Sequence, residues 1–186
     1  MLRDLVIKNR SYRRWYQDVS VNTETLRELI DLARLSPSAA NQQALKFILS
    51  NDPQKNASVF PNLRIDNDPI EGERPSAYVI ILYDTRIPRI PGIAHVDLGI
   101  AAQTIHLGAV EKGFGGVMVA NINKDGLRKA LDIQADFDIL LVLALGKPNE
   151  EMVIETMGDD GSLQQWWDDK RARHVIKRPL DDLILG

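Results

Sequence analysis

The residues best equipped to do chemistry lie in two short blocks, Lys8-Asn9-Arg10-Ser11-Tyr12-Arg13-Arg14-Trp15 and Ser36-Pro37-Ser38-Ala39-Ala40-Asn41-Gln42-Gln43. The first sets three guanidiniums and a hydroxyl within residues 10–14, beside the aromatic Tyr12 and Trp15. A guanidinium is a planar fork of N–H donors matched to phosphate oxygens. The second block joins small residues, which let a ligand approach the backbone, to amides that suit the polar edge of a flat ring. Together they point to a phosphorylated heterocycle. Each block also has a plain reading. Charge runs are commonly solvated helix faces, and Ser38 is an ordinary turn residue. Three consecutive amides, Asn41 to Gln43, are more than a turn needs. Lys177 and Arg178 form a second basic pair that could close over the same phosphate.

Other constellations carry less. Gly113-Phe114-Gly115-Gly116 follows a helical run and precedes a strand, the reverse of the order in a dinucleotide fingerprint, so a Rossmann reading is rejected. His95, His106 and His174 are scattered without ligand spacing, and with no cysteine to assist them no metal site is expected. Ser11 and Ser38 lack a nucleophile-elbow context. Trp166-Trp167 reads as a packing anchor. The chain of 186 residues is 44% apolar and 26% charged, with net charge −3 and pI near 5.6. That is ordinary for a globular protein and too acidic for general nucleic-acid binding. Without cysteine, redox chemistry needs a borrowed cofactor. The charged start and the lack of an apolar run of spanning length predict no signal peptide and no membrane association. A cytoplasmic protein is expected.

These residues must be positioned by a modest set of elements. A short helix from Leu2 is expected to carry into the arginine block. Asn22 or Thr23 caps a second helix through Leu35, which Pro37 stops, and Ser38 caps a turn over 39–43. Strands are expected at 46–50, 77–83, 117–122 and 139–145, the second apolar on both faces and therefore central. A helical turn is expected near 57–60, and Asn123 caps a helix through Leu131. Asp97 is expected to cap a long, buried helix over 98–112, ended by Gly113. Residues 51–75 and 86–92 read as loops, and everything after 148 as a tail. The alternation is too loose for a regular parallel series, so one α+β domain over 1–186 is expected.

Four of these segments, in order, resemble the FMN-dependent nitroreductase family in its short form. Residues 9–15 resemble its R-R-S-x-R-x-F motif and 37–44 its P-S-x-x-N-x-Q-P motif. Asp97-Leu98-Gly99-Ile100-Ala101-Ala102-Gln103 through Gly115 resembles its D-x-G-x-A-x-Q helix, and 174–178 its H-V-P-K-R end. The resemblance implies a sandwich with a mainly antiparallel central sheet flanked by helices. It also implies an interlocked homodimer with FMN at the interface. Arg10, Ser11 and Arg13, with Lys177 or Arg178, would bind the phosphate and ribityl end. Pro37, Ser38, Ala39, Asn41 and Gln43 would reach the partner's flavin, and Ala120 and Asn121 would pass close to its ring. The implied activity moves hydride from NAD(P)H through the flavin to a nitro, quinone or similar acceptor, by ping-pong. The alternatives are an FMN storage or sensing protein, or a dehalogenase-like or flavin-modifying enzyme on the same fold. Departures are Asn9, Ala44 and Ile176, where the motifs carry arginine, proline and proline. The loops at 51–75 and 86–94 are the candidates for a lid.

Overall fold

The computed structural model describes residues 1–66, 69–88, 90 and 92–185. Asn67, Asp68, Arg89 and Pro91, which belong to the two expected loops, lie outside the described residues. The chain forms two compact units, Met1–Pro148 and Asn149–Gly186.

The first unit is built on a five-stranded, fully antiparallel sheet. Strand β3 (Ala77–Asp84) is buried along its whole length. It pairs on one side with β2 (Leu45–Ser50) and on the other with the long β5 (Phe137–Pro148). Strand β5 also pairs with β4 (Gly115–Val119) and with the two-residue β1 (Trp15–Tyr16). Successive side chains of a strand point to opposite faces, and both faces here are covered. Tyr78, Ile80 and Leu82 join Trp15, Val59 and Leu127 in one core cluster. Val79 and Ile81 join Leu26, Leu29, Ala102, Ile105 and Ala109 in the other. The doubly apolar run at 77–83 is therefore a central strand, as its composition indicates. One register shift, between Ile81 and Leu82, bulges the β3–β5 ladder.

Helices α2 (Thr23–Leu35) and α4 (Ile93–Glu111) cover the second cluster's face. Asn22 caps α2 by accepting the Thr25 N–H. The two helices pack closely where a Cβ on Gly108 would fall 2.6 Å from Leu32 Cδ1. The opposite face carries α3 (Pro53–Val59), a 3-10 turn at Phe60–Asn62, and α5 (Lys124–Leu131), capped by Asn123. Helix α1 (Leu2–Lys8) is peripheral.

Two expectations about α4 are corrected. It starts at Ile93, after Gly92 in the left-handed region, so Asp97 lies inside the helix and does not cap it. It is also not buried all round: Val96 is 59% exposed and Gly99 faces open space. By length and composition alone α4 could cross a membrane, against the expectation that no segment reaches that length. Half of it is buried as a core helix.

The second unit is a small sheet of β6 (Met152–Thr156), β8 (Arg173–Lys177) and β7 (Trp166–Trp167), in that order. β6 and β8 run parallel and β7 antiparallel to β8. The residues read as a tail thus contain strands. A 3-10 turn follows at Leu180–Leu183.

Candidate active site

The arginine block is extended, not helical. Helix α1 stops at Lys8 because Asn9 adopts extended dihedrals while its N–H still bonds Leu5 O at 2.8 Å. Ser11 then bridges to Gly116 as a parallel neighbour, and the Tyr12 N–H donates to Gly116 O at 3.0 Å. Trp15 is fully buried and its indole N–H donates to Gly115 O at 3.2 Å. Position 116 tolerates only glycine, since a Cβ there would lie 2.3 Å from the carbonyl oxygen of Ala144. Gly115 and Gly116 thus form a tight entry to β4.

The three guanidiniums have different fates. Arg14 pairs with Glu73, a structural ion pair. Arg13 donates to Ser11 O at 3.0 Å and to the exposed Asp66 carboxylate at 3.2 Å. Arg10 donates through Nη2 to Val6 O at 2.7 Å, at the end of α1. Its Nε is buried without a partner, and so is Nδ2 of Asn9, which is 8% exposed. Buried donors are nearly always satisfied in native proteins. Two orphaned donors beside the exposed Ser11 therefore favour an anionic or strongly accepting group.

His106, on α4, belongs to the same neighbourhood. Burial pushes its pKa down to about 4, a backbone hydrogen bond with Gly116 works the other way, and Arg10's charge adds to the lowering. At neutral pH it is an uncharged imidazole whose Nε2 has no partner. No spacing in the sequence marked this residue. Only the fold brings it beside Arg10 and Gly116.

The amide block forms a strained turn. Ser36 ends α2 and a 3-10 turn follows at Ala39–Asn41. Ala40, Asn41 and Gln43 all lie in the left-handed region, with φ of 50°, 53° and 49°. For residues with a Cβ each such conformation costs on the order of 1–2 kcal/mol, and clusters of this kind occur at functional sites. The turn is held from both sides. Asp97 accepts the Ala39 N–H at 3.0 Å, and Ser38 Oγ accepts the Gln43 N–H at 3.3 Å. The Gln43 amide donates to Asn41 Oδ1 at 3.1 Å. Pro37, Ser38 and Gln43 line a cleft of about 300 Å³ together with Ala33, Phe47 and Asp97.

Helix α4 links the two groups. Asp97 meets the amide turn and His106 the arginine block, nine residues further on, or about 14 Å along the axis. Ala120 and Asn121 are exposed just beyond β4, about 13 Å along the strand direction from Gly116. The Asn121 carbonyl accepts the Arg64 N–H at 3.0 Å. Lys177 and Arg178 are exposed in the second unit. There, Trp166 stacks on His174 at 3.8 Å, and His174 Nδ1 lies 2.8 Å from Glu155. Among the described residues, no group of three or more His, Asp or Glu could hold a metal ion.

Known proteins match this architecture. The nitroreductase family model matches residues 7–80 and 74–147. A Methanothermobacter thermautotrophicus protein, provisionally named NADH dehydrogenase/NAD(P)H nitroreductase, is 30% identical over 151 residues, 77% of this chain and 76% of its own. The fold is similar to that of a Streptococcus pneumoniae TIGR4 nitroreductase family protein, at TM-score 0.75 and 16% identity over the whole of both chains. An FMN-dependent nitroreductase of Clostridium difficile R20291 aligns at TM-score 0.67 and 22% identity, over 79% of this chain and 87% of that one. Family match, sequence identity and shared fold agree, and the chain belongs to the nitroreductase family.

Proposed function

We propose that the protein is an FMN-dependent oxidoreductase, acting over residues 1–186 as one functional domain. It takes hydride from NAD(P)H and delivers it to a nitro, quinone or similar small acceptor. The observation that carries this reading is the pair of orphaned buried donors, Arg10 Nε and Asn9 Nδ2, beside Ser11. They call for an acceptor oxygen, and a phosphate supplies several. The residues present therefore fit FMN.

Arg10 and Ser11 hold the phosphate, and Arg13 joins them by exchanging the exposed Asp66 carboxylate for it. The Asp66 side of that pair is 80% exposed, so its carboxylate can be given up to water. Lys177 and Arg178 are assigned as further phosphate contacts on the family resemblance. The strained turn supplies the polar edge of the ring site. Pro37, Ser38, Ala39, Asn41 and Gln43 face the ring of the partner subunit's cofactor, and Ala120 and Asn121 bring backbone close to it. When bound, FMN supplies the hydride chemistry itself. The protein binds and orients it, keeps water from one face, and aims N–H donors where negative charge develops. Donor and acceptor would use one binding place in turn, which is the ping-pong order.

A homodimer completes this arrangement. Leu35 on α2 is 65% exposed and Val96 on α4 is 59% exposed, beside the open Gly99. These exposed apolar side chains are the ones such an association would cover.

The test is an absorbance spectrum of the purified chain with and without FMN, followed by NADH and NADPH oxidation with a quinone or nitro compound. Flavin uptake at one per subunit with steady acceptor-dependent oxidation is expected. Protein that binds no FMN would overturn the reading. Bound flavin inert to both nicotinamides would leave the storage alternative in its place.

A further inference from the structure

A second cavity, of about 640 Å³, opens on the face of the sheet that carries α3 and is not used by the function proposed above. Its volume lies within the range of small-molecule sites. Its wall is pre-formed. Gln17 accepts the N–H groups of Gly72 and Arg74 at 2.9 and 3.2 Å, and donates to Glu71 at 2.7 Å. Asn56 bridges Ser50 Oγ to Ser76 O, each at 2.8 Å, which fixes the backbone leading into β3.

Two lining groups are left without partners inside this firm frame. Ser76 is 8% exposed and its Oγ is buried and unbonded. Nε of Arg74 is in the same state, although its Nη1 is paired with Glu71 and its guanidinium stacks over Phe60, 4.5 Å from the ring centroid. A guanidinium Nε–H can only donate, and the serine hydroxyl can do so. The missing partner is therefore an acceptor. Its charge is constrained as well. The lining carries Arg74 against the two carboxylates Asp18 and Glu71, so an anion meets net negative charge. Beside these groups Pro53, Phe60 and Pro75 give apolar contact.

We propose that this cavity binds a small neutral molecule that presents a carbonyl or amide oxygen to Arg74 and Ser76 and lays a planar apolar part against the wall formed by Phe60. Benzamide and benzoate share the ring and the carbonyl oxygen and differ in charge, so they make a matched pair of probes. In a ¹H–¹⁵N NMR titration of the full chain as purified, benzamide shifts the amide signals of Gly72, Arg74 and Ser76 along one saturating curve. Benzoate shifts them at least about tenfold more weakly. Ser76→Ala and Arg74→Lys each weaken benzamide about fivefold, while Ser76→Ala leaves NAD(P)H oxidation unchanged. The proposal is overturned by a non-saturable response or by benzoate binding equal to benzamide. It is equally overturned by an unchanged affinity in Ser76→Ala, or by soaked crystals holding only water at Ser76.

Discussion

Arg10→Ala is the most direct probe of the proposed cofactor grip. The wild-type side chain does two separable things. Nη2 bonds the Val6 carbonyl at the end of α1, and Nε waits buried without a partner. Losing the first bond costs about 0.5–1.5 kcal/mol of folding stability, a fall in melting temperature of a few degrees for a chain of this size. Losing a charge-assisted contact to phosphate costs about 1.5–3 kcal/mol of binding, or roughly a 10- to 150-fold rise in the FMN dissociation constant. The two effects are read independently, by thermal melting of the cofactor-free protein and by fluorescence titration with FMN. Arg10→Lys keeps the charge but loses the fork, so it recovers only part of the affinity. Adding Arg13→Ala weakens binding further, by less than the first substitution, because Arg13 already shares its charge with Asp66. If Arg10→Ala binds FMN within about twofold of wild type while folded, the phosphate assignment is wrong.

Other consequences of the structure are open to measurement. Ala40→Gly, at φ 50°, relieves left-handed strain at some cost in chain entropy. It should raise stability by roughly 0.5–1 kcal/mol, and a lowered melting temperature would contradict the strain argument. His106 has a pKa near 4 in the folded protein against 6.5 in the unfolded chain. Its contribution to stability is complete above pH 6.5 and is lost as the pH falls toward 4, because the unfolded chain takes up the proton first. Urea stability of wild type relative to His106→Leu should therefore change by up to about 3 kcal/mol between pH 7 and pH 4, and parallel pH profiles would sink that reading. Val96→Glu replaces the exposed valine of α4 by a charge. Sedimentation should show it shifted toward monomer with weakened FMN binding, whereas an intact dimer would move the interface elsewhere.

Much of this architecture was readable residue by residue, and the failures share a cause. Helices α2 and α5 were legible because Asn22 and Asn123 each accept an N–H three residues on, an interaction wholly local in sequence. The doubly apolar run of β3 declared its central place for a similar reason. Asp97 misled because its carboxylate serves a residue 58 positions away, Ala39, rather than the turn that follows it. The left-handed backbone of Ala40 gave no warning, since alanine normally avoids that conformation and only the surrounding contacts hold it there. His106 looked like one of three scattered histidines until the fold brought Arg10 and Gly116 beside it. The resemblance left Arg14 out of the expected phosphate contacts, but its partner Glu73, 59 residues away, was beyond any local pattern. Strands β6 and β8 are five residues each, too short for periodicity to separate them from a polar tail.

Helix α4 is a single rod touching the amide turn at Asp97 and the arginine block at His106. A one-residue insertion between those points would rotate one contact by about 100° about the axis relative to the other and shift it 1.5 Å. Shortening by one residue would do the same in reverse. The rod thus acts as a gauge whose length must stay constant while its surface varies. Substitutions along its outer face can alter what the protein meets, but a change in its residue count would uncouple the arginine block at one end from the amide turn at the other.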